Sequence, residues 1–155
     1  MQASNLEKIT ELRHQLHAHA ELSLQESETK RILMDFIAQN TSLEVHDQGD
    51  WFYAFKDGQG DNPIAFRSDM DALPIFEETG VDYASTHDGR MHACGHDFHA
   101  ACMLGAALLL KEKEAALPGT VKVVFQPAEE IDNGAERVVA TGLLDDVQAF
   151  YAGHT

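Results

Sequence analysis

The chain has 155 residues, 44% of them apolar, with 11 Lys and Arg against 26 Asp and Glu for a net charge of −15. That length suits one domain with a real core, and the acidic balance argues against nucleic acid or an anionic membrane as partner. The N-terminus lacks the apolar stretch of a secretory signal, which points to the cytoplasm, and the longest apolar run, Ala100 to Leu110, is about half a membrane span.

Helix and strand signals alternate along the chain. "NLEKITELRHQLHAH" carries Leu6, Ile9, Leu12 and Leu16 at helical spacing. "SETKRILMDFIAQN" repeats that pattern at Ile32, Leu33, Phe36 and Ile37, with only a weak cap at its start. The stretch "SLEVHDQGDWFYAFKDGQGDNPIAFRSDMD" reads as three strands broken at two turn-rich points. A long polar loop is expected between Ile75 and Met91. A helix follows from about His96 to Glu114, then a strand in "GTVKVVFQPAEE", a short helix in "NGAERVVATGLL" and a last strand in "VQAFYAGHT". This order predicts an α/β fold: a three-layer sandwich with a mixed, largely parallel sheet and helices on both faces.

Chemistry-bearing residues gather at the ends of these elements. "IAFRSDMD" ends in Asp69 and Asp71, "VKVVFQPAEE" in Glu129 and Glu130, and "AFYAGH" in His154. "RMHACGHDFHAA" sets His92, Cys94, His96 and His99 at the start of a helix. Ligands of open α/β sheets bind beyond the carboxyl ends of the strands, so four segments are expected to converge on one site. Adjacent glutamates at the end of a buried strand are costly unless a cation neutralises them. One can then bind metal while the other serves as general base, with Pro127 fixing the backbone before them. Taken singly, each residue has a blander reading as an ordinary polar group at an element's end.

The two cysteines do not form a disulfide framework. Cys102, inside the apolar helix, is expected to be a buried, inert thiol. Cys94, in the histidine cluster, stands where a thiolate could be stabilised. A zinc finger is disfavoured, because "CGH" has no second ligand pair at finger spacing. His17 and His19 lie two apart on a helix and point in different directions, so one at most reaches the site. A cysteine hydrolase with Cys94 as nucleophile and His96 or His154 as base is a third reading, but it leaves the "AEE" carboxylates without a role.

Five ordered motifs carry a family resemblance. "LRHQLHAHAELSLQESET" resembles an Arg-x-x-Leu-His-x-x-Pro-Glu-Leu opening, and "FRSDMDALPIFEETG" an Arg-Ala-Asp-Met-Asp-Ala-Leu-Pro motif. "MHACGHDFHAACMLGAA" resembles Met-His-Ala-Cys-Gly-His-Asp-x-His, and "GTVKVVFQPAEEIDNGA" a strand ending in Gln-Pro-Ala-Glu-Glu. "GLLDDVQAFYAGH" resembles the segment that delivers the next metal histidine. Together they resemble the N-terminal part of an M20-type metallopeptidase, in the amidohydrolase subgroup that hydrolyses N-acyl amino acids, including the hippurate and IAA-amino acid hydrolases. The chain departs from the pattern at Ala20, Ser68, Phe98, Ala100 and Thr155.

The resemblance implies two divalent metal ions, zinc or manganese, with cobalt or nickel as second choice. Cys94, His96, Glu130 and His154 would be ligands, Glu129 the general base, and Asp71 the residue that orients a ligand, with Asp97 and His99 supporting the centre. It implies cleavage of the amide bond of small N-acyl amino acids, and homo-oligomers are possible. It also implies that residues 1–155 are the N-terminal portion of the catalytic domain, without a lid or dimerisation domain, the rest of the catalytic domain and a final metal histidine. An incomplete metal site and weak or absent hydrolysis by this chain alone are the corresponding expectation. The alternative is a catalytically inactive metal-binding or interaction fragment.

Overall fold

Apolar spacing puts the helices where the pattern predicts them. The computed structural model describes residues 3–131 and 134–155, and in it α1 spans Ala3–Ala18 and α2 spans Ser27–Asn40. Ile9, Leu12 and Leu16 of α1 and Ile32, Leu33 and Ile37 of α2 are buried, whereas Leu6 is turned outward. The predicted triplet of strands follows as β1 (Glu44–Asp47), β2 (Phe52–Lys56) and β3 (Ile64–Asp69). The helix α3 runs His96–Lys111, three residues shorter than expected, with a separate 3-10 turn at Glu114–Ala116. Then come β4 (Val121–Gln126), a 3-10 turn at Glu129–Ile131, α4 (Gly134–Val139) and β5 (Ala149–Ala152). Asn133, where the short helix was expected to begin, lies outside the described residues.

The five strands form one mixed sheet in the order β1-β2-β4-β3-β5. β1 to β2 and β2 to β4 are antiparallel, while β4 to β3 and β3 to β5 are parallel. The sheet is therefore parallel in the half that carries the acidic strand ends and antiparallel in the other. Side chains alternate between its faces. Val121, Val123 and Phe125 of β4 belong to the main core with Leu104 and Leu33, and Phe125 stacks on Phe52 at 4.5 Å between ring centres. On the opposite face Lys122 donates to the Leu143 carbonyl at 2.7 Å, and Val124 and Gln126 line a hollow against Val138 of α4. α1 and α3 pack together, and α3 lies along β3.

Among the described residues no helix is long and apolar enough to cross a membrane. Cys102 lies on an exposed face of α3, not in the core, because the apolar run is wider than the surface the helix buries.

Candidate metal centre

β3, β4 and β5 run parallel, so their carboxyl ends share one edge of the sheet. Asp69 closes β3, with Asp71 two residues on; Glu129 and Glu130 follow β4, and His154 follows β5. The N-terminus of α3 comes to the same edge with His96 as its first residue. Its N-cap, Gly95, has φ of +80°, and a Cβ there would stand 2.9 Å from Thr155 Oγ1. The left-handed turn between Cys94 and His96 is one that glycine adopts without penalty.

His96 Nε2 is the hub. It lies 3.8 Å from Glu129 Oε2, 3.8 Å from Glu130 Oε1 and 3.9 Å from Asp69 Oδ2. Three groups of metal-capable side chains have ligand atoms within 4.8 Å of one another: Cys94 with His96 and His154; Asp69 with His96 and His99; and His96 with Glu129 and Glu130. Cys94 Sγ is 3.6 Å from His154 Nε2. All four expected ligands and the expected base thus come together. Asp69 joins them as a sixth group that the motif reading left without a role. Its signal was its place at the strand's carboxyl end, two residues before Asp71.

Asp71 sets the orientation of this hub. The Nδ1–H of His96 donates to the Asp71 carbonyl at 2.8 Å, with Asp71 Oδ1 at 3.3 Å, which leaves Nε2 as the free lone pair. Asp71 Oδ2 accepts the Ser23 hydroxyl at 2.6 Å and the Glu130 N–H at 2.9 Å. Burial opposes ionisation of Asp71, but the hydrogen bonds from His96, Ser23 and Glu130 outweigh it and hold the carboxyl at about 2. Burial pushes Asp69 up to about 6 even though Arg67 pairs with it.

The cluster suits divalent ions. His96 Nε2, His99 Nδ1 and Glu130 Oε1 are buried without a hydrogen-bond partner, a state that is costly for polar atoms unless something binds them. Burial, with Glu130, Glu129 and Asp69 nearby, pushes the Cys94 thiol up to about 11. This differs from the expectation that a thiolate could be stabilised in the histidine cluster: burial first, and the neighbouring acids after it, favour the thiol, and a cation among them would reverse the sign. The same shift weakens the cysteine-hydrolase reading.

A second polar group lies away from the cluster. His17 is buried between Asp97, at 2.8 Å from its Nδ1, and Glu77, at 3.1 Å from its Nε2; Arg13 also donates to Asp97 at 3.0 Å. Glu77 also accepts the Ser85 N–H at 2.7 Å within the long 75–91 loop, and its contact with His17 ties that loop to α1. His17 is therefore engaged by Asp97 and Glu77 and is in none of the three metal-capable groups. His19 lies just past α1, is half-buried, and bonds the Gln15 carbonyl of that helix at 2.9 Å. Burial holds His92 down at about 4.

Residues 65–155 match the family described as Peptidase family M20/M25/M40. The chain is 44% identical over 150 residues to an N-acetylcysteine deacetylase of Bacillus subtilis (strain 168), which covers 95% of this chain and 40% of the relative. It is 40% identical to the IAA-amino acid hydrolase ILR1-like 6 of Arabidopsis thaliana, over 99% of this chain and 33% of that protein. The crystal structure of Bacillus subtilis YXEP protein, described as a dinuclear metal binding peptidase from M20 family, superposes with TM-score 0.95 at 41% identity. That match covers 100% of this chain and 44% of the other. Human carnosine dipeptidase 1 shares the fold with TM-score 0.69 at 16% identity, over 97% of this chain and 39% of its own. The chain thus spans about 40% of the length of the curated relatives it matches.

Proposed function

This chain belongs to peptidase family M20/M25/M40, and we propose on that premise that it is the N-terminal portion of the catalytic domain of a metal-dependent amidohydrolase. Its substrates are small N-acyl amino acids, acetylated or carrying an aromatic acyl group. The observation that carries this reading is the convergence of three potential ligand groups on His96. The similarity to a deacetylase and to a hydrolase of amino acid conjugates supports the substrate class.

Cys94, His96, Glu130 and His154 would hold two divalent ions. The thiolate favours zinc and the carboxylates suit manganese, with cobalt or nickel behind them. When bound, the ions supply a Lewis acid for the acyl carbonyl and acidify water. Asp71 keeps His96 in the tautomer whose Nε2 faces the centre. Glu129 is the more open of the paired glutamates, with its side chain 39% exposed against 17% for Glu130. It is therefore the general base, taking a proton from water and returning it to the departing amine. The compartment is the cytoplasm, and the partner is the small substrate rather than nucleic acid or membrane.

The test is elemental analysis of the purified chain beside Glu130→Ala and Cys94→Ala, with hydrolysis of N-acetyl and N-benzoyl amino acids followed in parallel. Bound zinc or manganese in the parent and its loss from both variants is the expected result. Equal metal in all three would overturn the ligand assignment. Metal uptake without hydrolysis would favour a metal-binding fragment, the second reading.

A further inference from the structure

We propose that Glu26 is a positioning residue of this hydrolase: its carboxyl group fixes the turn that aims Glu129 and Glu130 at His96. The inference rests on the metal-centre reading above. Glu26 stands just before α2 and is only 4% exposed. Its Oε1 accepts the backbone N–H of Ala128 at 2.8 Å, across 102 residues of chain.

The acceptor sits where the backbone most needs one. β4 pairing ends at Gln126 and Pro127 has no N–H, so the Ala128 N–H is the first donor beyond the ladder. Ala128 has φ of +53° and no exposure, a left-handed conformation that residues with a Cβ seldom adopt. Such a turn persists only where its surroundings determine it. Three contacts do so. Glu26 takes the Ala128 N–H, and Asp71 takes the Glu130 N–H at 2.9 Å. Gly134 lets the Pro127 carbonyl approach so closely that a Cβ would lie 1.6 Å from it. With the backbone pinned on both sides of Glu129, the two carboxylates reach His96 Nε2 at equal distances of 3.8 Å.

A merely structural role is separable, because Glu26 is also the N-cap residue of α2 yet makes no side-chain cap bond there. Aspartate is a favoured N-cap, so Glu26→Asp should leave α2 intact while falling one methylene short of Ala128. Glu26→Gln keeps both the length and an accepting oxygen. Zinc is titrated calorimetrically into the metal-free chain and both variants, and amide exchange at Ala128 and Thr29 is followed by NMR.

Glu26→Asp is expected to weaken zinc binding by about tenfold or more, the usual effect of losing a group that orients ligands. Its Ala128 amide should exchange faster, while the Thr29 amide, bonded to Glu21 at 2.8 Å, is unchanged. Glu26→Gln is expected to bind zinc nearly as the parent does. Parent-like zinc affinity in Glu26→Asp, or equal weakening in both variants, overturns the role of Glu26 and leaves the metal centre standing. A parent that takes up no zinc removes the metal centre, and the inference falls with it.

Discussion

Burial of the acids has a cost that can be read from Glu26 alone. Burial, with Asp71 and Glu21 nearby, pushes its carboxyl up to about 7 although the Ala128 N–H favours the ionised form. The ordinary value is 4.5. Between those two pH values the folded chain keeps a proton that the unfolded chain releases, so stability falls as pH rises from 4.5 to about 7 and is level above. Glu26→Gln has nothing to ionise. In metal-free buffer it should be more stable than the parent at pH 8 by about 3 kcal/mol, and no more stable below pH 4.5. Urea denaturation at both pH values checks this, and the titration of His92 and Asp69, common to both proteins, cancels in the comparison. An equal difference at both pH values would assign the effect to packing instead. None of this was legible in "LQESET", because a polar run does not reveal that one acid is buried by a contact 102 residues away.

Elements, in contrast, were largely legible, because their boundaries follow local chemistry. The strand ends that carry Asp69, Glu129 and His154 could be placed from apolar runs that stop at polar residues, and their convergence follows from parallel pairing. What was hidden is how α2 begins. No side chain of its own first turn caps it; Glu21 does so from the preceding loop, accepting the Thr29 N–H at 2.8 Å and the Glu28 N–H at 3.3 Å. A capping box spans three residues and can be read from sequence, whereas this cap spans eight and depends on the loop's path. Glu21→Ala should cost about 1–2 kcal/mol in chemical denaturation, as other lost N-caps do. The Ala72 N–H bond to the Glu21 carbonyl, at 2.8 Å, is a backbone contact and survives the substitution. No measurable loss would mean that solvent replaces the carboxylate at the helix start.

At the scale of the whole molecule, opposing forces meet on one side of the sheet. The sheet order was not legible, since β4 enters between β2 and β3 only through contacts made after α3 has crossed over. Its consequence is that β5 stands at the edge beside β3, with Phe150 and Tyr151 about half exposed. Next to it a hollow of about 480 Å³ is lined by Val124, Val138, Val139, Leu144, Val147 and Phe150. An apolar surface beside a strand whose outer edge has no partner among the described residues favours association, but a net charge of −15 repels a second copy. The balance should therefore depend on salt. At 0.15 M ionic strength charges interact over only about 8 Å, while burial of apolar surface is undiminished. Sedimentation velocity should show the chain shifting from monomer toward dimer as salt is raised from 0.01 to about 0.5 M. Phe150→Glu, which puts a charge into the hollow's rim, should hold it monomeric throughout. A parent that stays monomeric at every salt concentration, or a Phe150→Glu variant that associates like the parent, would show that this face does not drive self-association.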